Sequence, residues 1–241
     1  MYLFLFTIGF FPGVLWLIYF LSRDRTNPEP PGLIMFTFVL GMIAFWVSSL
    51  LEQAGFWLNA MLNLSDNPQS FWNMLSTNLF IIGPVEELCK WLPVFLFAYF
   101  RREFDEPLDG IIYCLASALG FAAVENIKYL ESIGAHIILI RGALTNLGHA
   151  FFAGISGYGL GRAKFATRHK TGFMIGFLAL ASLAHGCYDI IVDLIDNDWL
   201  RILTLSGFIV VLGLINYRGY RMLERLSPFR TKKTDGSLKS F

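Results

Sequence analysis

Three ionisable side chains stand inside a membrane-length apolar run, in the stretch Gly83-Pro84-Val85-Glu86-Glu87-Leu88-Cys89-Lys90. Leu79 to Ile82 precede it and Trp91 to Tyr99 follow, all apolar or aromatic. A charge near the bilayer centre costs about 2.5–3.5 kcal/mol on insertion scales, so two adjacent carboxylates there point to a functional site. Glu86 and Lys90 are spaced i, i+4 with the acid on the N-terminal side, the better orientation for an ion pair. Glu87 is turned about 100° from Glu86 on a helix. This predicts that Lys90 holds Glu86 and leaves Glu87 the freer carboxylate. Pro84 has no N–H to offer the carbonyl of Phe80, so a fresh helical segment starts beside it.

Further polar residues interrupt other apolar runs. Glu125 and Asn126 follow Phe121 by a turn; Arg141, Thr145 and His149 share another run; His185 and Asp189 are i, i+4 on a third. A carboxylate at that spacing can orient an imidazole and fix its tautomer. Counted from one end of their spans, Glu86, Glu125, His149 and His185 lie about 18 to 26 Å deep at 1.5 Å per residue. Four such groups in one layer imply a common cavity. Hydrolysis needs a base, a water and a donor where the oxyanion forms. Glu86 or Glu87 supplies the base, and His149 and His185 the donors. Glu125, His149 and His185 equally form a three-ligand set for a catalytic Zn²⁺. The helical H-E-x-x-H signature is absent, so these residues leave both mechanisms open.

The elements that must position these groups are helices. The 241 residues are 55% hydrophobic and only 15% charged, which is too apolar for an ordinary soluble domain. The net charge of +1 gives no basic field for nucleic acid. The three cysteines, Cys89, Cys114 and Cys187, lie in apolar segments without C-x-x-C spacing and read as packing residues. Apolar runs fall at approximately 2–21, 33–52, 71–100, 107–130, 138–161, 172–195 and 199–219. The fold class is therefore an all-α polytopic bundle of about seven spans. The run 71–100 reads either as one kinked span or as two elements broken at Gly83-Pro84. Ala153, Gly157 and Gly161 form a small-residue stripe that lets a neighbouring helix approach closely. Segments 22–32, 101–106 and 162–171 and the tail from Arg218 hold 15 of the 19 Lys and Arg residues. The positive-inside rule then places the N-terminus outside and the C-terminus in the cytoplasm. Residues 1–219 form one transmembrane domain and 220–241 a basic tail. The first run has no basic residue before it and no small-residue cleavage site after it, and reads as a retained span.

Glu86-Glu87-x-x-Lys90, Phe121-x-x-x-Glu125-Asn126, Arg141 followed by His149, and His185-x-x-x-Asp189, with Asp24-Arg25 and Pro28-Glu29-Pro30 before them, resemble the motifs of the PrsW intramembrane proteases. That family is related to the CAAX-processing and bacteriocin-processing membrane proteases. The resemblance covers about residues 20 to 195 and implies an endopeptidase of the bacterial inner membrane. Its implied substrates are single-pass membrane proteins such as an anti-sigma factor, with the lipid bilayer as its other partner and no nucleic acid. It also implies that Glu86, Glu87, His149 and His185 are catalytic, with Lys90, Glu125, Asn126, Arg141 and Asp189 in support. Lys90 and Glu125 stand where the CAAX-type enzymes have an arginine, one residue further on, and a histidine. The competing class is a proton- or ion-coupled transporter that uses the same acid and histidine cluster as a relay. Against it, the chain shows no pair of matching broken helices in two halves.

Overall fold

The computed structural model describes residues 2–22, 27–61, 70–133 and 141–229, of which residues 2–6, 8, 131–133 and 141–142 are described by backbone alone. Asp24-Arg25, the Arg141 side chain and the tail beyond Phe229 lie outside the described residues.

Every regular element among the described residues is helical. In order they are α1 (Tyr2–Leu21), α2 (Pro31–Met61), α3 (Phe71–Thr77), α4 (Gly83–Pro93), α5 (Asp109–Ile133), α6 (Asn146–Phe165), α7 (Lys170–Leu194) and α8 (Asp198–Glu224). A helix satisfies its backbone groups internally, which an apolar run surrounded by lipid requires. α2 continues nine residues past the apolar run and α8 continues past residue 219, because neither Glu52-Gln53-Ala54 nor Arg218 to Glu224 contains a proline to stop a helix.

The run from 71 is one continuous helical rod. α3 leads through a π-helical turn, Asn78–Ile82, into α4, and a second π turn, Val94–Ala98, follows Pro93. The first turn answers the constraint set by Pro84: with no N–H there, the ladder widens and the Gly83 N–H reaches back to the Asn78 carbonyl. Ser70 caps the start by accepting from the Asn73 N–H.

Among the described residues four helices, α2, α5, α7 and α8, are long and apolar enough to cross a membrane. α5 is the centre: 89% of its apolar stretch is buried inside the protein, against 17% for peripheral α8. α1, α2 and α6 pack on α5, α7 packs on α6 and α4, and α8 lies mainly against α6. The small-residue stripe of α6 meets the start of α5. A Cβ at Gly157 would stand 2.4 Å from the Gly110 carbonyl oxygen, and one at Gly161 would stand 2.0 Å from that of Pro107.

The loops rich in basic residues gather at one end of the bundle. Asn27 donates to Asp105 at 2.9 Å, the Glu106 N–H to Asp109 at 2.8 Å and Lys164 to the Arg101 carbonyl at 3.1 Å. Tyr113 donates to Glu29, and Ser227 to Glu106. Burial is the main influence on both Glu29 and Glu106 and pushes their carboxyls above the ordinary range. A folded-state pKa that is raised means that the native state binds protons more readily than the unfolded chain. That contribution to stability is therefore present at low pH and lost as pH rises through the folded value. Glu29→Gln keeps an acceptor for Tyr113 without the charge. It should gain stability over the parent by about 1 kcal/mol as pH rises from about 5 to 8, read from unfolding midpoints of the two proteins in detergent.

Candidate active site

Gly83 and Gly186 bring α4 against α7. A Cβ at Gly83 would lie 2.5 Å from the Ser182 carbonyl oxygen, and one at Gly186 would lie 2.6 Å from that of Asn78. Only residues without side chains permit this approach, and it places the acidic turn of α4 directly on His185.

Lys90, in the last turn of α4, is 2% exposed. Its ammonium donates to Glu86 Oε2 at 2.8 Å, Glu87 Oε1 at 2.9 Å and His149 Nδ1 at 2.9 Å. An ammonium has three hydrogens and no acceptor, so all three are used and His149 Nδ1 must be the accepting nitrogen. The His149 proton therefore sits on Nε2, which donates to Glu125 Oε2 at 2.8 Å. His185 donates from Nδ1 to Glu87 Oε1 at 2.9 Å. Its Nε2 is left facing Asp189 Oδ2 at 3.4 Å and Glu86 Oε2 at 3.7 Å. Aromatic rings hold these groups in place: Phe121 lies 4.3 Å under the Lys90 ammonium, and Phe152 stacks on His185 at 4.9 Å with the planes 16° apart.

A cavity of about 490 Å³ opens beside this cluster. Glu86, Glu125, His149, His185 and Asp189 line it, and it extends to Asp198 and Arg201 next to the 195–197 loop. The sequence thus placed Glu86, Glu125, His149 and His185 correctly in one layer. The expected Lys90–Glu86 pair forms, but Glu87 is not the freer carboxylate. Lys90 binds both, since its i−3 and i−4 neighbours converge on one ammonium. Glu87, turned towards α7, is wholly enclosed, whereas the Glu86 side chain is 10% exposed and forms part of the cavity wall.

Asn126 lies away from the cavity. Its amide donates to Asn146 at 2.9 Å and to the Gly9 carbonyl at 3.4 Å, which ties α5 to α6 and α1. Arg141 opens the π turn that leads into α6. The wall also includes residues to which the motifs gave no role. Asn78 donates to Asp193 at 2.9 Å, and Tyr188 shares a hydrogen bond with Thr145 at 3.1 Å. Asp193 was given no role from the sequence, although it stands one turn beyond Asp189 on the same face as His185. Tyr188 carries no comparable signal.

Glu86, His149 and His185 each offer a ligand atom, and these atoms lie within 4.8 Å of one another. Asp189 Oδ2 and Glu87 Oε2 are buried without a hydrogen-bond partner. Two imidazoles and a carboxylate are the donor set of a hydrolytic Zn²⁺, so the residues fit a metal ion. Glu86, rather than Glu125, completes this group of three.

A family model described as the PrsW family intramembrane metalloprotease matches residues 29–215. Protease PrsW of Geobacillus kaustophilus (strain HTA426) is 33% identical over 185 residues, covering 77% of this chain and 78% of that protein. Protease PrsW of Bacillus subtilis (strain 168) is 31% identical over 211 residues, covering 86% and 90%. Protease PrsW of Halalkalibacterium halodurans is 29% identical over 226 residues, covering 92% and 98%. No solved structure matches significantly.

The α4–α7 approach has a direct test. Gly186→Ala should lower unfolding stability in detergent by about 1–3 kcal/mol through overpacking. Gly176→Ala, on the same helix with nothing within 4 Å of the added Cβ, should be neutral or stabilising.

Proposed function

The chain belongs to the PrsW family of intramembrane metalloproteases, and from that premise we propose that it hydrolyses peptide bonds of single-pass membrane proteins with Glu86 as the base that acts on water. The protein is a membrane protease; the substrate type and the roles of the residues are the proposal. What supports Glu86 is its position on the cavity wall, with both imidazoles beside it.

Lys90 compensates two carboxylates at once and fixes the Glu86 carboxylate on the cavity wall, where an oxygen can accept a proton from water. Water attacks the scissile carbonyl carbon as its proton passes to a Glu86 oxygen. The C–N bond then breaks, and the proton moves on to the leaving amine. Glu87 anchors His185 through Nδ1, which aims Nε2 at the space beside Glu86, where a protonated ring donates to the developing oxyanion. Glu125 fixes the ring of His149 from the opposite side. A metal ion, when bound, would draw on Glu86, His149 and His185 and supply a Lewis acid that polarises the carbonyl.

The resemblance of the motifs extends the proposal to substrates of the anti-sigma factor type. With the basic loops in the cytoplasm, the end of the cavity lined by Asp198 and Arg201 lies towards the outer side, so the cut falls towards the outer half of the substrate's span.

Glu86→Gln should lower kcat about 10²- to 10⁴-fold with little change in KM, measured on a fluorescent single-pass substrate in proteoliposomes. Cleavage at the parent rate would remove Glu86 from this role. Elemental analysis before and after chelation assigns water activation to a metal if activity follows metal content, and to Glu86 alone if it does not.

A further inference from the structure

One wall residue stands apart from the carboxylates and histidines. Asn78 is 2% exposed, lies on the π turn that precedes the acidic segment and lines the cavity. Its main chain is fully engaged: the N–H bonds to the carbonyls of Leu75 and Met74, and the carbonyl accepts from Gly83. Its carboxamide makes one hydrogen bond among the described residues, from Nδ2 to Asp193 Oδ2 at 2.9 Å. Because a carboxylate accepts, Asp193 fixes which way the amide is turned. Oδ1 and the second Nδ2 hydrogen have no partner among the described residues.

A membrane substrate must unwind where it is cut, and each N–H and C=O released from its helix then needs a partner in a site with little water. The cavity meets half of that need generously. Glu86, Glu125, Asp189 and Asp193 all accept, so a substrate N–H has several choices. Donors for substrate carbonyls are few. The three hydrogens of Lys90 are used within the cluster, Nε2 of His149 serves Glu125, Nε2 of His185 is assigned to the oxyanion, and Arg201 directs Nε and Nη2 to the carbonyls of Ile195 and Asp196. A carboxamide with one oxygen and one N–H to spare matches the donor and acceptor of a peptide group side by side. π turns recur at functional sites because they re-aim one residue out of the regular ladder.

We infer that Asn78 binds the main chain of the unwound substrate segment, Oδ1 accepting from a peptide N–H and Nδ2 donating to a peptide C=O, with Asp193 holding the amide in that orientation. The inference rests on the protease reading of the same cavity. It makes recognition depend on an exposed backbone rather than on particular side chains, which suits a site that must accept an apolar helix.

The test uses the full-length Glu86→Gln protein in detergent. The probe is a fluorescein-labelled synthetic single span of about 20 apolar residues with Gly-Gly at its centre. Binding is followed by fluorescence anisotropy, and the sample is run on a gel for product. Adding Asn78→Leu should raise Kd about tenfold. Leucine at this position could also disturb packing, so a second probe, the same peptide N-methylated at the central glycines, removes the N–H that Oδ1 would accept. The protein with Asn78 should bind the methylated probe several-fold more weakly than the parent, and the Asn78→Leu protein should bind the two alike. Equal Kd values for the parent probe with and without Asn78, or the same discrimination by both proteins, would overturn the inference. Product on the gel would instead count against Glu86 as the base, independently of the binding ratios.

Discussion

A single buried ammonium sets the terms for the rest of the structure. Lys90 joins two carboxylates of its own helix to a histidine of another, and all of its hydrogens are committed. Two adjacent glutamates in an apolar run carry a desolvation cost; one cation placed between them offsets part of it through attraction to both. Losing that cation would leave two negative charges side by side in low dielectric. The arrangement also dictates the state of its neighbours. Because lysine only donates, His149 must present Nδ1, and the proton on its other nitrogen then selects Glu125 as a partner.

Helix contacts must be close for so short a side-chain network to span four helices. The glycines at 83 and 186 remove the side chains that would separate α4 from α7, and the π turn ahead of Pro84 sets the rotation of α4 so that Glu87 meets His185 while Glu86 meets the cavity. α5 supplies the floor: Phe121 lies under the ammonium, and the Ser117 hydroxyl bonds the Lys90 carbonyl at 2.7 Å. The two carboxylates, identical in chemistry and adjacent in sequence, thereby acquire different tasks, one enclosed and structural, the other open to the cavity.

Much of this was legible in the residues themselves. Length and apolarity gave the helices, and the spacing of polar residues within them gave the layer shared by Glu86, Glu125, His149 and His185. The i, i+4 pair at His185 and Asp189 signalled the face of α7 that lines the cavity. Which glutamate faces the cavity could not be read this way, because it depends on the rotation of α4 about its own axis, which the π turn and the close contact at Gly83 and Gly186 set together. Asn126 illustrates the opposite error: it stands beside Glu125 but points to Asn146, since neighbours in a helix face different directions. Asn78 was hidden for a third reason. A lone amide in an apolar run has no spacing partner in its own segment, and its partner Asp193 lies 115 residues away.

The account stands or falls on Lys90 as the shared partner of the glutamate pair, which a double-mutant cycle on unfolding stability measures directly. Lys90→Met should destabilise the protein by about 3–5 kcal/mol by leaving buried charge uncompensated. Adding Glu87→Gln to that variant should restore part of the loss, with a coupling of at least about 1 kcal/mol between the two positions. If the two substitutions simply add, Lys90 and Glu87 act independently and the ammonium does not organise the site.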